Sequence, residues 1–234
     1  MTILNRLPRH KNCVFYNIII FILSLVSIVP IFMPVVLGHL SDYTKLDLEN
    51  GVTKTYIIIR FLFGLTAILA LFASAFFKQY LFYAVPIIFG FIMSSIKLIH
   101  NIDQYKTHYK FAEIMNQPLE NNAVLKNDGI YILMCSLFLL LALSSLMYIL
   151  GIPHTSLFVM LFSVTAAICA AFVIYTEAVT CEIFTEGSMA SGLDRFRVIS
   201  FTFSVPTALI PTFIALNTAP AEKKKKYTPK RMKR

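Results

Sequence analysis

Six apolar stretches of near-bilayer length account for most of this chain: Val14–Leu37, Tyr56–Phe76, Tyr80–Leu98, Gly129–Leu150, Ser156–Tyr175 and Phe196–Leu216. A hydrocarbon core about 30 Å thick takes about 20 helical residues to cross, at about 1.5 Å each. Water is absent there, so each backbone N–H and C=O must find its partner within the chain. The stretches therefore predict helices, and the chain reads as an all-α integral membrane bundle of six transmembrane helices. Only 14% of the 234 residues are charged, against about 25% in a soluble domain. Spans and connections consume nearly the whole length, so no separate soluble domain fits. The division that follows is an N-terminal segment over 1–13, a six-span membrane domain over 14–216 and a basic tail over 217–234. The first stretch is expected to be retained. Ile31-Phe32-Met33-Pro34-Val35 near its end offers no small-x-small cleavage site.

Charge sets the expected orientation. The net charge of +9 is unevenly spread. Arg6, Arg9 and Lys11 precede the first span. Lys223 to Lys226, Lys230, Arg231, Lys233 and Arg234 follow the last, offset only by Glu222. The longer connections (38–55, 99–128 and 176–195) hold six basic and eleven acidic residues. Positive charge favours the cytoplasmic side, so both termini are expected in the cytoplasm, as an even number of spans requires. The second and third spans, and the fourth and fifth, are joined by short connections and form tight antiparallel hairpins. The basic tail serves as a topology signal, and such a tail also attracts anionic lipid headgroups. Nucleic acid is not an expected partner of a tail held at a bilayer.

Cysteine and motif content narrow the chemistry. Cys135 and Cys169 lie within spans and Cys13 lies at the mouth of the first, where palmitoylation is one reading. Cys181 stands alone in an exoplasmic loop, without an intramolecular disulfide partner there. The chain has no H-E-x-x-H, nucleophile elbow, glycine-rich phosphate loop or Cys-x-x-Cys. Neither a metal nor a cofactor is expected. Pro30 and Pro34 in the first span, and Pro206 and Pro211 in the sixth, are expected helix kinks. Broken helices also form carrier binding sites, so a small channel or carrier is one alternative.

An intramembrane charge points to function by default, and Arg60 is the one placed a full turn inside a span. Its guanidinium suits a lipid phosphate or a carboxylate held by two parallel hydrogen bonds; the bland reading is an interfacial anchor that snorkels. Asp128 precedes the fourth span, where a carboxylate caps free N–H groups. Cys181, Glu182 and Asp194 fall on the same exoplasmic side, with Glu177. Arg60, Asp128, Cys181, Glu182 and Asp194 therefore form the candidate exoplasmic polar site, with a solvated rim as the simpler reading.

In order along the chain, these features resemble a known family. Arg60-Phe61-Leu62-Phe63-Gly64-Leu65, Ala75-Phe76-Phe77-Lys78-Gln79-Tyr80-Leu81, Lys126-Asn127-Asp128, Thr180-Cys181-Glu182 and Leu193-Asp194 are similar to segments of the FRAG/DRAM/SFK group of six-span membrane proteins. The likeness is greatest to the post-GPI-attachment-to-proteins factor 2 branch. The chain departs from that branch in having no Trp, in lacking His before Asp128 and at the end of its sixth span. The resemblance implies GPI-anchor lipid remodelling in the Golgi or endoplasmic reticulum, with membrane lipids and GPI-anchored proteins as partners. It leaves open whether the protein is itself an enzyme. The alternative within the family is a non-enzymatic protein of the autophagy-modulator or plasma-membrane branch, in lysosomes or at the cell surface.

Overall fold

A computed structural model describes residues 9–36, 51–116, 118–119, 122–152, 154–180 and 204–219. The protein is an all-α bundle of six helices among these residues: α1 (Val14–Val36), α2 (Gly51–Phe77), α3 (Ala84–Ile114), α4 (Ala123–Ile149), α5 (Thr155–Thr180) and α6 (Ser204–Leu216). A single 3₁₀ turn, Tyr80–Tyr83, leads into α3, and two short strands, β1 (Arg9–His10) and β2 (Thr218–Ala219), flank the helices. Tyr80–Ile114, Val124–Ile149 and Thr155–Thr176 are each long and apolar enough to cross a membrane. Val14–Ile28, Phe61–Phe77 and Ser204–Leu216 are shorter apolar helices.

Each helix packs on its neighbours in sequence, and α6 packs on α1. The described helices thus form a closed ring in chain order. The outer face is apolar, unlike that of a water-soluble protein. Leu69 (58% exposed), Phe72 (62%), Leu161 (56%) and Ile168 (65%) point outward. The interior combines apolar side chains such as Ile20, Tyr80, Ile149 and Val159 with Ser24, Ser27, Ser74, Ser163, Ala166 and Ala208, all but fully buried. A helix apolar on its outer face is stable only in lipid, where small and hydroxylated residues let backbones approach. Gly64 shows how closely: a Cβ there would lie 2.3 Å from Ile28 Cγ1 and 3.5 Å from the Ser24 carbonyl oxygen of α1.

The buried hydroxyls have defined partners. Ser24 and Ser27 donate back to the carbonyls of Ile20 and Leu23 in their own helix. Ser27 Oγ also meets Thr207 Oγ1 of α6 at 2.9 Å, and Ser163 of α5 donates to the Ala208 carbonyl at 2.5 Å. Pro211 lies inside α6 and has no N–H for the Thr207 carbonyl. These two cross-helix bonds brace that interrupted turn from both sides, as neighbouring hydroxyls do in membrane helices. Pro206 is the third residue of the described α6, where its missing N–H is among those an α-helix leaves unused. The α1 backbone is helical through both Pro30 and Pro34.

At one end of the ring the two ends of the helical domain are joined. Arg9 pairs with Ala219 and His10 with Thr218 in a two-stranded antiparallel ladder. Lys11 N donates to the Asn217 carbonyl at 2.9 Å. Fully buried Asn217 accepts from Cys13 N at 3.1 Å through its side-chain oxygen and donates to Asn17 Oδ1 at 2.7 Å. Asn217 thus supplies an acceptor at the start of α1 while its own N–H closes the last turn of α6 on Phe213. The carbonyls of Ile214 and Ala215 in the same turn are also filled. Thr218 Oγ1 reaches those of Ile214 and Ala215, Tyr80 OH donates to Ile214 at 2.9 Å, and Tyr148 OH approaches Ala215 at 3.5 Å.

The third and fourth helices depart from the sequence expectation. Residues 99–128 were expected as a long loop, but α3 runs on to Ile114 and α4 begins at Ala123. Apolar length marks where a span leaves lipid, not where its helix stops. Residues 196–203 of the expected sixth span lie outside the described residues. Asn217–Ala219, expected as the start of the tail, belong to the folded clasp.

Tyr80 and Tyr83 make a controlled pair for testing the capping role. Both are buried, but Tyr83 OH has no hydrogen-bond partner among the described residues. Tyr80→Phe is expected to destabilise the folded protein by about 1–2 kcal/mol, because it leaves a buried carbonyl short of a donor. Tyr83→Phe is expected to be neutral or stabilising. Thermal unfolding of both variants in one detergent measures the difference.

Candidate functional site

The end of α3 and the start of α4 face each other along a polar seam. Asn101 Nδ2 donates to Cys135 Sγ at 3.4 Å. Seven residues further along α3, His108 Nδ1 lies 2.6 Å from Asp128 Oδ2, seven residues back along α4. The two contacts therefore belong to one antiparallel register, which sets Tyr105 opposite Tyr131 between them. Tyr105 also stacks with Tyr109 at a centroid distance of 6.4 Å.

The seam's outer pair is polarised by exposure. The Asp128 side chain is only 13% exposed, whereas His108 is 44% exposed. An ionised carboxylate only accepts, so against that form Nδ1–H is the donor and Nε2 is turned away from Asp128. That arrangement fixes the imidazole's orientation and gives it an open nitrogen able to take or hold a proton, the geometry of a positioned acid–base group. The exposed Lys106–Asp103 pair at 3.9 Å adds little, since solvent screens it.

Depth follows from helix length. Tyr80 and Tyr148 belong to the clasp end. Asp128 lies 21 residues before Ile149, about 31 Å along the helix axis. His108 lies 24 residues beyond Ala84, about 36 Å. The pair thus stands about one hydrocarbon thickness, about 30 Å, along the helices from the clasp end.

The expected site residues are distributed as follows. Asp128 was expected to cap the fourth helix. The cap is instead Asn122, whose side chain accepts from Val124 N and Leu125 N at 3.0 and 3.4 Å. Asp128 sits in the second turn, free for His108. Arg60 is in α2, but its side chain lies outside the described residues, as do Cys181, Glu182 and Asp194 altogether. The structure thus brings Asp128 together with His108. His108 escaped sequence reasoning because residues past Leu98 read as loop. With the α3–α4 hairpin extended, Asp128 is the carboxylate in register with it. No group of three His, Cys, Asp or Glu is placed to hold a metal among the described residues.

A cavity of about 30 Å³ lies inside the ring, lined by Phe63, Gly90, Ser94, Phe138, Ser145 and Thr207 among others. It holds a water-sized guest, not a lipid headgroup. No family model, curated protein or solved structure matches the chain. What can be stated of its class rests on the apolar outer face and the apolar helices: it is a multi-pass α-helical membrane protein.

A double-mutant cycle tests the pair. His108→Ala and Asp128→Asn are expected to show a coupling of about 1–2 kcal/mol in unfolding, toward the upper end for side-chain bonds in membrane proteins. Coupling near zero would show that the two side chains do not interact in the folded protein.

Proposed function

We propose that this protein spans the membrane six times with both termini in the cytoplasm, and that it acts in remodelling the lipid part of GPI anchors in the secretory pathway. The observation that carries the reading is the His108–Asp128 pair at the end of the bundle opposite the clasped termini; with the clasp at one membrane surface, the helix lengths put the pair at headgroup depth on the other. With the basic termini in the cytoplasm, that face is exoplasmic, the leaflet in which GPI anchors reside. An imidazole oriented by a half-buried carboxylate supplies the proton-handling group that ester chemistry on a lipid needs. The ordered resemblance to the post-GPI-attachment-to-proteins factor 2 branch supports the same reading. Its departures before the fourth span are partly offset, because His108 reaches Asp128 from the neighbouring helix.

A non-enzymatic role in the same family predicts a different outcome in cells. In a null background with no paralogue expressed, GPI-anchored proteins should be lost from the surface and their anchors should show altered acyl chains by mass spectrometry. Native protein should restore both, and His108→Ala at matched abundance should restore neither. Normal anchors and normal display in the null would favour the non-enzymatic reading.

A further inference from the structure

The α4–α5 hairpin sets two thiols level with each other. Cys135 lies 14 residues before Ile149, where α4 ends, and Cys169 lies 14 residues after Thr155, where α5 begins. Each is thus about 21 Å along its helix from the same short connection. Both pack in one interior cluster, with Met134, Ala170 and Val173. Ala166, Ala167 and Ala170 are buried on α5 around this level, and residues so small let neighbouring helices approach closely. Helix axes about 8–10 Å apart, each carrying its Cα atoms at a radius of about 2.3 Å, leave facing Cα atoms within the span that a disulfide bridges.

The two thiols are not equivalent. Cys135 is buried, whereas Cys169 is half-buried. Asn101 of α3 donates to Cys135 Sγ at 3.4 Å, a bond that holds the sulfur in place and is strongest to its thiolate form. Lys97, one turn before Asn101, is close enough to act on the same sulfur through its charge, and Cys169 is within the same range. Cys135 stands near the middle of the apolar helix Val124–Ile149, and Cys169 lies inside Thr155–Thr176.

We infer that Cys135 and Cys169 are an intramembrane redox pair that reduces lipid hydroperoxides and closes to a disulfide. The half-buried Cys169 thiol attacks the terminal oxygen of the hydroperoxide. The O–O bond breaks, the thiol proton passes to the departing oxygen, an alcohol leaves, and Cys169 becomes a sulfenic acid. The Cys135 sulfur, held by Asn101, then attacks Cys169 Sγ. The S–S bond forms as the S–O bond breaks, and the hydroxyl leaves as water with the proton from Cys135. Two thiols and a hydroperoxide give a disulfide, an alcohol and water; the sulfurs are oxidised and the peroxide is reduced. A lipid hydroperoxide is the fitting oxidant because both thiols stand along apolar helices, away from water. The inference does not depend on the lipid-remodelling reading.

The test uses the full chain in nanodiscs with Cys13→Ser and Cys181→Ser, which leaves only this pair of cysteines. Cumene hydroperoxide is the lipid-soluble probe. Free thiols are counted by maleimide mass-tagging after denaturation, and linked peptides are identified by mass spectrometry. Both thiols should disappear together into a disulfide within one chain, and dithiothreitol should restore them. With Cys135→Ser added, oxidation should stop at a Cys169 sulfenic acid that dimedone traps. Asn101→Leu should leave the first step unchanged and lengthen the life of that sulfenic acid about tenfold, the worth of one charge-assisted hydrogen bond. The first measurement keeps both cysteines and Asn101, so misfolding of a variant cannot mask it. Two free thiols under conditions that oxidise a transmembrane control peptide carrying one Cys would overturn the inference. Disulfides formed only between chains would do the same, as would Cys169 passing on to sulfinic acid with Cys135 still free. An unchanged sulfenic lifetime in Asn101→Leu would overturn the role given to Asn101 and Cys135 in closing the bridge.

Discussion

The last turn of α6 ends inside protein, at the centre of a hydrogen-bond network, and much of the architecture can be traced to that fact. A helix leaves its final carbonyls unbonded, and a buried polar group left unpaired costs about 1–3 kcal/mol. These carbonyls are enclosed by protein, so the chain must bring donors. Tyr80 comes from the turn before α3, Tyr148 from the end of α4 and Thr218 from the residues after α6 itself. Asn217 adds the start of α1 through Cys13 N and Asn17. Satisfying one helix end therefore draws α1, α3, α4 and α6 to a common point. Ring order follows, because each helix then has only its sequence neighbours left to pack against.

Around that fixed end, the ring is held by closeness rather than by a hydrophobic effect, which lipid largely cancels. Gly64 lets α2 approach Ser24 and Ile28 of α1, and Ser27, Ser163 and Thr207 tie α1, α5 and α6 together around Pro211. The opposite end is built differently. The α3–α4 hairpin extends beyond hydrocarbon length and carries a seam that grows more polar outward, from Asn101–Cys135 to His108–Asp128. One end of the bundle is thus a structural closure, and the other carries a polar pair.

The apolar helices were legible in the sequence because their length is dictated by bilayer thickness, and α1 begins at Val14 as expected. Hydropathy carries no such signal for residues beyond the lipid. The final four turns of α3 contain Asp103, Lys106 and Lys110 and were taken for loop, so His108 was not brought opposite Asp128. Asp128 resembled a cap because it preceded the apolar run, yet the helix starts earlier, at Asn122. The clasp was equally hidden. Two-residue strands have no periodicity, and Asn217 becomes informative only when residue 13 is known to be its neighbour. The remaining expected site residues, Cys181, Glu182 and Asp194, lie outside the described residues, as does the Arg60 side chain.

The clasp is the claim on which the ring closure rests, and a disulfide trap tests it most directly. His10 and Thr218 are register partners, and paired antiparallel positions have Cα atoms about 4.5–5.5 Å apart, within the span a disulfide bridges. With Cys13, Cys135, Cys169 and Cys181 replaced by Ser, a His10→Cys/Thr218→Cys chain in native membranes is expected to cross-link on mild oxidation. The product should be intramolecular and reversed by reductant. A chain whose two thiols both react with maleimide yet never cross-link would contradict the joined termini and the closed ring with them.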